Sequence, residues 1–365
     1  MLRPFYILFF SLFILSLNGF TQPDQKAGLV KQQYANITSR YNGYFNGQQK
    51  LLEILDKLAL SHIDNYNEIL PVFPLGTKKD AESVSGDGDI VIKKASFVIQ
   101  RHEIGKWVDD CYIMIGKAYY YRGDYFTAIE SFQYVYNKYK GSPTEVEALI
   151  WLARCYLKLD KSSEVESTLL LAQTKFSGRT RHLLKDYHTT YADYLILTKN
   201  YRKAAEELLN ALAYNVRRQE RARLYYIVSQ LYEKENKNDR SIIFYKRVIR
   251  KTPPYEMIFN ARIAIARLYD NSDDAPGKGV EATLTRMLKD DKNLDYKDQI
   301  YFTLGTIALK KGNILKAIDY YKLSAINSTV NKQQKGIAYL TIANLYFNKL
   351  SQFELAGTYY DSTLA

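Results

Sequence analysis

A pattern that returns seven times governs what this chain can fold into. From about residue 108 onward, a small residue is followed three positions later by an aromatic, then by a turn and a second segment with alanine and an aromatic at fixed offsets. Ile115-Gly116-x-x-Tyr119, Gly123-Asp124-Tyr125, Ala128 and Phe132 show it most clearly, and Leu304-Gly305, Gly312-Asn313, Ala317 and Tyr321 repeat it far along the chain. The aligned small residues are Gly116, Ala153, Ala192, Ser229, Ala266, Gly305 and Ala343, at steps of 37, 39, 37, 37, 39 and 38. Residues three apart share one helical face. A Gly, Ala or Ser there lets two helices approach closely, Ala128, Ala204 and Ala317 do the same from the second helix, and Tyr119, Tyr156, Tyr232, Tyr269 and Tyr346 supply the bulk beside it.

This grammar resembles the tetratricopeptide repeat. It implies an all-α fold: a right-handed superhelical solenoid of about seven helix pairs, each burying its apolar face only against its neighbours, preceded by a helical N-terminal region and a signal peptide. The period exceeds the usual 34 by about three to five residues, which we assign to longer connections such as Lys140–Pro143 and Lys251–Pro254. The fifth unit is the weakest, because Asp270–Gly277 interrupts it before Val280, Leu284 and Met287 restore the second helix. The sequence stops at Ala365 inside the second helix of the seventh unit, from which we expect a longer polypeptide ending in a polar cap. The 33 tyrosines read mostly as half-buried packing residues with their polar tips at the surface of a thin solenoid.

Residues 1–22 read as a secretory signal: Arg3, an apolar run from Phe5 to Leu17, then polar residues to Gln22. The run is too short to span a bilayer comfortably, and the A-x-A processing triplet is missing, so an uncleaved anchor stays open as the alternative. No Cys stands at the junction for a lipid anchor. The segment implies export from the cytoplasm. Residues 23–106 form a helical N-terminal region with an extended Pro-bounded segment, Ile69–Gly76, and residues 107–365 form the repeat array.

Catalytic signatures fail one by one. His62, His102, His182 and His188 have no ligand spacing, and His102-Glu103 has Lys106 where a zinc-protease helix needs its second His. Asp87-Gly88-Asp89 begins like a calcium loop but lacks the later ligands, so a solvated turn is expected. Asp109-Asp110 sits at a helix start, where acids favour the dipole. Cys111 and Cys155 read as two small buried side chains, with a disulfide as the alternative. No phosphate loop, dinucleotide fingerprint or nucleophile elbow occurs; we expect no enzyme activity, no cofactor and no metal. The formal net charge is +12, and Arg217–Arg267 holds thirteen Lys or Arg against five acids. With export, nucleic acid is not the expected partner. Acidic proteins, anionic lipid or cell-wall polymers are, unless the arginines simply solvate convex faces.

Four stretches carry a more specific resemblance: RYNGYFNGQQKL (40–51), YNEILPVFPLG (66–76), IKKASFVIQRHEI (92–104) and WVDDCYIMIGKAYYYRGDYFTAIESFQYVYNKY (107–139). Together they look like the N-terminal half of the PorW/SprE family, tetratricopeptide-repeat proteins of the Bacteroidota type IX secretion system. The resemblance implies a periplasmic, outer-membrane-associated component that helps link the energised machinery to the translocon and supports gliding motility where that exists. Its partners would be protein components of a secretion or envelope complex, with peripheral contact to outer membrane or peptidoglycan. The chain departs from the family in lacking the junction Cys of a lipoprotein and in being shorter. The competing reading is a cell-wall-associated periplasmic repeat protein that organises peptidoglycan or polysaccharide assembly.

For a groove lined by first helices, the sequence offers Lys117, Tyr120 and Tyr121 from the first unit, Arg154 and Lys158 from the second, and Tyr226 and Gln230 from the fourth. Ile113 and Lys117 occupy the positions where chaperone-binding repeats carry a Lys/Asn carboxylate clamp, so a helix or extended peptide is the expected ligand, held by aromatic anchors and oriented by charges. Tyr41, Asn42, Tyr44, Phe45 and Asn46 are candidate contacts in the N-terminal motif, whose glycines alternatively serve a turn or close packing.

Overall fold

The structure is a computed structural model that describes Asn36 and residues 43–268 and 276–364. The expected signal sequence, residues 1–22, and Tyr269 therefore lie outside the described residues. Among the described residues there are seventeen α-helices and no strand. The N-terminal region contributes α1 (Phe45–Ser61), α2 (Lys78–Ser83) and α3 (Ser85–Arg101). Seven pairs follow: α4 (Val108–Tyr121) with α5 (Tyr125–Lys138), α6 (Pro143–Lys158) with α7 (Ser162–Thr174), α8 (Leu184–Leu197) with α9 (Tyr201–Ala211), α10 (Arg218–Lys234) with α11 (Asn238–Arg250), α12 (Tyr255–Leu268) with α13 (Pro276–Leu288), α14 (Lys297–Lys310) with α15 (Ile314–Asn327), and α16 (Lys332–Asn348) with α17 (Phe353–Leu364). The fold is the all-helical repeat solenoid that the recurrence implies.

The chain divides into two compact units. Unit 1 holds the residues up to His62 together with Leu75–Phe176. In it α1 packs on α3 and α4, and α3 to α7 each pack on the next. Unit 2 holds Ile63–Pro74 together with Ser177–Ala365, with α8 to α12 and α14 to α17 each packed on the next and the first helices α12, α14 and α16 packed in sequence.

The aligned small residues work by exclusion. Ala153, Ala192, Ser229, Ala266 and Ala343 are all buried, and a Cβ on Gly116 or Gly305 would stand 2.5 Å from Phe132 Cε1 or 2.7 Å from Tyr321 Cε1. The ring of the second helix thus occupies the space that a side chain on the first would need. Two of the steps are 39 residues, and both contain a 3-10 helix, Gly178–Leu183 and Asp291–Tyr296. The extra length is therefore partly ordered helix rather than plain loop.

Seven residues after the small residue, the turn between the first and second helix of the first, second, third, fourth and sixth units places a backbone in the left-handed region: Gly123 (φ 82°), Asp160 (54°), Lys199 (60°), Asn236 (56°) and Gly312 (80°). The seventh unit does so one position later, at Ser351 (φ 52°). Only two of these are glycines, so the others carry a Cβ penalty of roughly 1–2 kcal/mol. Lys199→Gly is expected to raise the urea midpoint by an amount worth about 1 kcal/mol, because the exposed lysine has no packing to lose. A lowered midpoint would contradict this account of the turn.

Two local expectations change. Asp87-Gly88-Asp89 is not a turn but the first turns of α3: Asp87 binds Lys50 at 2.8 Å and Lys57 at 2.5 Å, and Asp89 binds Arg122 at 2.6 Å. Gly88 is selected there because a Cβ would come within 2.6 Å of Arg122 Cδ. Helix α3 accordingly starts at Ser85, ahead of both acids. Second, Tyr226, Tyr245 and Tyr321 are completely buried rather than half-buried. Internal acceptors make that tolerable: Tyr245 donates to Glu233 Oε1 at 2.5 Å and Tyr321 to Thr306 Oγ1 at 3.3 Å.

Candidate partner-binding groove

Counting from the small residue of each first helix, positions −6, −3 and +1 lie on one face, since 3.6 residues make a turn. In the fourth unit these are Arg223, Tyr226 and Gln230. All three grip one stretch of the chain, residues 63–74 of the same unit. The Arg223 guanidinium donates to both carboxylate oxygens of Asp64 at 2.8 Å and to the carbonyl of Pro71 at 3.1 Å. Gln230 reads the backbone: its Oε1 accepts from the Leu70 N–H at 2.9 Å, and its Nε2 donates to the Glu68 carbonyl at 2.5 Å. The Tyr66 ring stands edge-on against Tyr226, with centroids 5.2 Å apart, and Tyr226 stands edge-on against Tyr245. Leu70 and Val72 are buried.

This is how a groove holds an extended peptide. A bidentate pair fixes one end, a planar amide satisfies main-chain groups, and an aromatic provides area. The segment needs such partners because Pro71 and Pro74 keep it out of a helix and its backbone groups lack regular pairing. Burial, reinforced by Asp64 and Glu256, pushes the Tyr66 phenol well above its ordinary value, so it stays protonated.

Beside the segment the same face continues as a cavity of about 340 Å³. The corresponding positions of the fifth and sixth units line it: Asn260, Ile263 and Arg267, then Gln299, Phe302 and Thr306. Arg267 donates to Glu233 Oε2 at 2.5 Å, which anchors the cavity's edge to the Tyr245 hydrogen bond.

In unit 1, positions −6 and +1 carry Asp110 and Lys117, then Glu147 and Arg154. Lys117 binds Glu147 at 2.6 Å, and both Lys117 and Arg154 stand over the Trp151 ring, 5.1 and 4.5 Å from its centroid. Tyr120 and Tyr121 meet Trp151 edge-on and are buried. With Lys158 they line a second cavity, of about 410 Å³, whose other wall is Leu58, Leu75–Lys78, Ala81 and Glu82. The five unit-1 candidates thus gather around one tryptophan and one cavity, partly covered by the N-terminal region. Sequence reading did not mark Trp151.

Asp110 is half-buried, and desolvation, helped by Asp109 and Glu147 against Lys117 and Lys106, pushes its carboxyl up to about 7. A carboxyl whose folded value exceeds its unfolded one binds more protons in the folded state between the two, so stability falls as pH rises from about 4 to 7. Asp110→Asn is therefore expected to gain on the wild type between pH 4 and pH 8. The gain is about 2 kcal/mol once solvent at the half-buried group is allowed for. Melts at the two pH values measure it, and an equal difference at both would refute the sign.

In the N-terminal motif, Tyr41 and Asn42 lie outside the described residues. Tyr44 stacks on Trp107 with centroids 4.7 Å apart, Phe45 is half exposed, and Asn46 is exposed at the start of α1. The glycines serve close packing: a Cβ on Gly43 would clash with Val98 of α3, and one on Gly47 would come within 2.6 Å of Met114 Sδ of α4.

The structure also brings in Asp64, Tyr66, Arg223, Glu233 and Arg267, which sequence reading did not mark as site residues. Arg223 and Arg267 belong to the basic stretch, and several of its arginines make internal bonds. Arg218 donates to the Lys251 carbonyl at 2.8 Å, and Arg221 donates to the carbonyls of Leu212 at 2.9 Å and Tyr214 at 3.3 Å. Both cysteines are free and buried, and among the described residues no cluster of His, Cys, Asp or Glu could hold a metal. Among those residues no helix is long and apolar enough to cross a membrane.

Comparison with protein families finds tetratricopeptide repeats at residues 113–164 and 193–256, and again at 298–325. Comparison with curated proteins gives no significant match. Among solved structures, the chain is similar to a tetratricopeptide repeat protein from Parabacteroides merdae, at 14% identity over 79% of this chain and 99% of that one, with TM-score 0.39. It is also similar to the C-terminal part of a TPR repeat-containing protein from Cytophaga hutchinsonii, at 13% identity over 76% and 99%, TM-score 0.39. A third likeness is the TPR2AB domain of yeast Sti1 in complex with an HSP90 peptide, at 14% identity over 79% and 98%, TM-score 0.25. The chain carries tetratricopeptide repeats, which are protein-interaction modules.

Proposed function

We infer that this tetratricopeptide-repeat protein is a non-enzymatic scaffold that binds partner proteins through its repeat groove, and that it serves in the periplasm as a component of the type IX protein secretion system. The grip of Arg223, Tyr226 and Gln230 on residues 63–74 carries the scaffold reading, because it displays side chains arranged to hold extended polypeptide. The resemblance of residues 40–51 and 66–76 to the PorW/SprE family supports the placement in that machine, and the signal-like residues 1–22 support export. Gly43 and Gly47 add a physical reason for the first stretch: both are needed where α1 meets α3 and α4.

Deleting the gene is expected to stop export of proteins that bear the system's C-terminal signal, read as their loss from the culture medium. Unchanged secretion in the deletion strain would reject the assignment. The cell-wall alternative needs the basic stretch to face a polymer, and the internal bonds of Arg218, Arg221, Arg223 and Arg267 weaken it.

A further inference from the structure

Residues 63–74 occupy the groove of unit 2 as a ligand would, although they are part of the chain itself. Two groove side chains, Arg223 and Gln230, hold the segment by polar bonds to Asp64, Glu68, Leu70 and Pro71. Ile63, Asn65, Asn67, Glu68 and Pro71 remain exposed. The neighbouring positions Asn260, Ile263, Gln299 and Phe302 line the open 340 Å³ and are not used by the segment's hydrogen bonds. On the same wall the buried Gln334 Nε2 has no hydrogen-bond partner.

We propose that residues 63–74 are a built-in, displaceable occupant of the unit 2 groove, and that the groove's partner is an extended peptide of the same chemistry: an acidic residue, an aromatic two positions on, then an aliphatic residue before proline. This rests on the reading of the repeats as a protein-binding groove and specifies what that groove accepts.

The competition is physically feasible. A tethered occupant acts at an effective concentration on the order of millimolar, so an incoming peptide with identical contacts would lose. A longer peptide gains what the internal one leaves unused, namely an apolar side chain against Ile263 and Phe302 and amide contacts from Asn260, Gln299 and Gln334. Apparent affinity is the intrinsic affinity reduced by the fraction of open groove. The segment therefore sets a threshold for partner binding.

The test uses the full chain and a fluorescent peptide with the sequence of residues 63–74. The peptide should bind the wild type weakly and bind the triple variant Asp64→Ala/Tyr66→Ala/Leu70→Ala at least tenfold tighter. Adding Gln230→Ala to the triple variant should remove the gain. Thermal melts establish that the variants stay folded, and amide exchange supplies an independent readout: Leu70 should exchange at least tenfold faster than the core amides of α10. Equal affinity of wild type and triple variant, or equal protection of Leu70 and α10, would overturn the proposal. So would a wild type that runs as a dimer by exchanging the segment between copies. A failed peptide assay beside lost secretion in the deletion strain would reject the built-in occupant while leaving the scaffold standing.

Discussion

Trp151→Ala is expected to destabilise the chain by about 3–5 kcal/mol, the range for truncating a buried large aromatic. Trp151 is 6% exposed and joins both faces of the first two repeats. Phe132 stacks against it at 5.9 Å, Tyr120 and Tyr121 meet it edge-on at 5.3 and 5.8 Å, and Lys117 and Arg154 cover it from the groove side. Removing the indole opens a large cavity and also strips two cations of their ring, each contact worth roughly 0.5–1 kcal/mol or more when desolvated. Trp151→Phe retains much of the area and should cost less than half as much. Urea midpoints of the two variants decide the matter, and near-equal values would mean that the indole is not the hub the geometry describes.

Gly305→Ala should destabilise by about 1–3 kcal/mol, the typical cost of overpacking. Helix propensity argues the other way, favouring alanine over glycine by about 1 kcal/mol. The clash wins because three atoms of the buried Tyr321 ring lie between 2.7 and 3.1 Å from the new Cβ, and the ring is held by Thr306. Gly336 supplies the control. It lies within α16 and a Cβ there meets nothing within 4 Å, so Gly336→Ala should stabilise by up to about 1 kcal/mol. Opposite signs at two helical glycines follow only if the small residue of the repeat exists to admit the partner ring. A double-mutant cycle with Tyr321→Leu should recover most of the loss at Gly305. Equal signs at Gly305 and Gly336 would reduce the recurrence to composition.

The repeat was legible because its causes are local. A small residue, an aromatic three positions on and a turn seven positions on record one helix pair, and each pair restates the same packing problem. The groove face was legible for the same reason: Tyr226 and Gln230 stand one to three positions from Ser229, and periodicity alone puts them on a common side. The occupant of that face left no local trace. Leu70 and Gln230 are 160 residues apart, and so are most of the segment's partners, so no window of sequence contains both halves of the contact. The available signal was chemical: Ile69-Leu70-Pro71-Val72-Phe73-Pro74 is too apolar to lie in water and too rich in proline to form a helix. Asp87 and Asp89 were misread because a glycine between acids is a turn signal, whereas here tertiary packing against Arg122 selects the glycine inside a helix. The buried tyrosines were underestimated because a hydroxyl looks costly to bury until its acceptor, Glu233 or Thr306, is in place.

The claim at the centre of this account is that the first-helix face of unit 2 recognises extended main chain. Amide exchange at Leu70 tests it most directly, because the Gln230 carboxamide accepts from that N–H. The account predicts that Leu70 is protected in the wild type and that Gln230→Ala removes the protection while α10 and α11 exchange as before. An unprotected Leu70 in the wild type, or protection indifferent to Gln230, would contradict it.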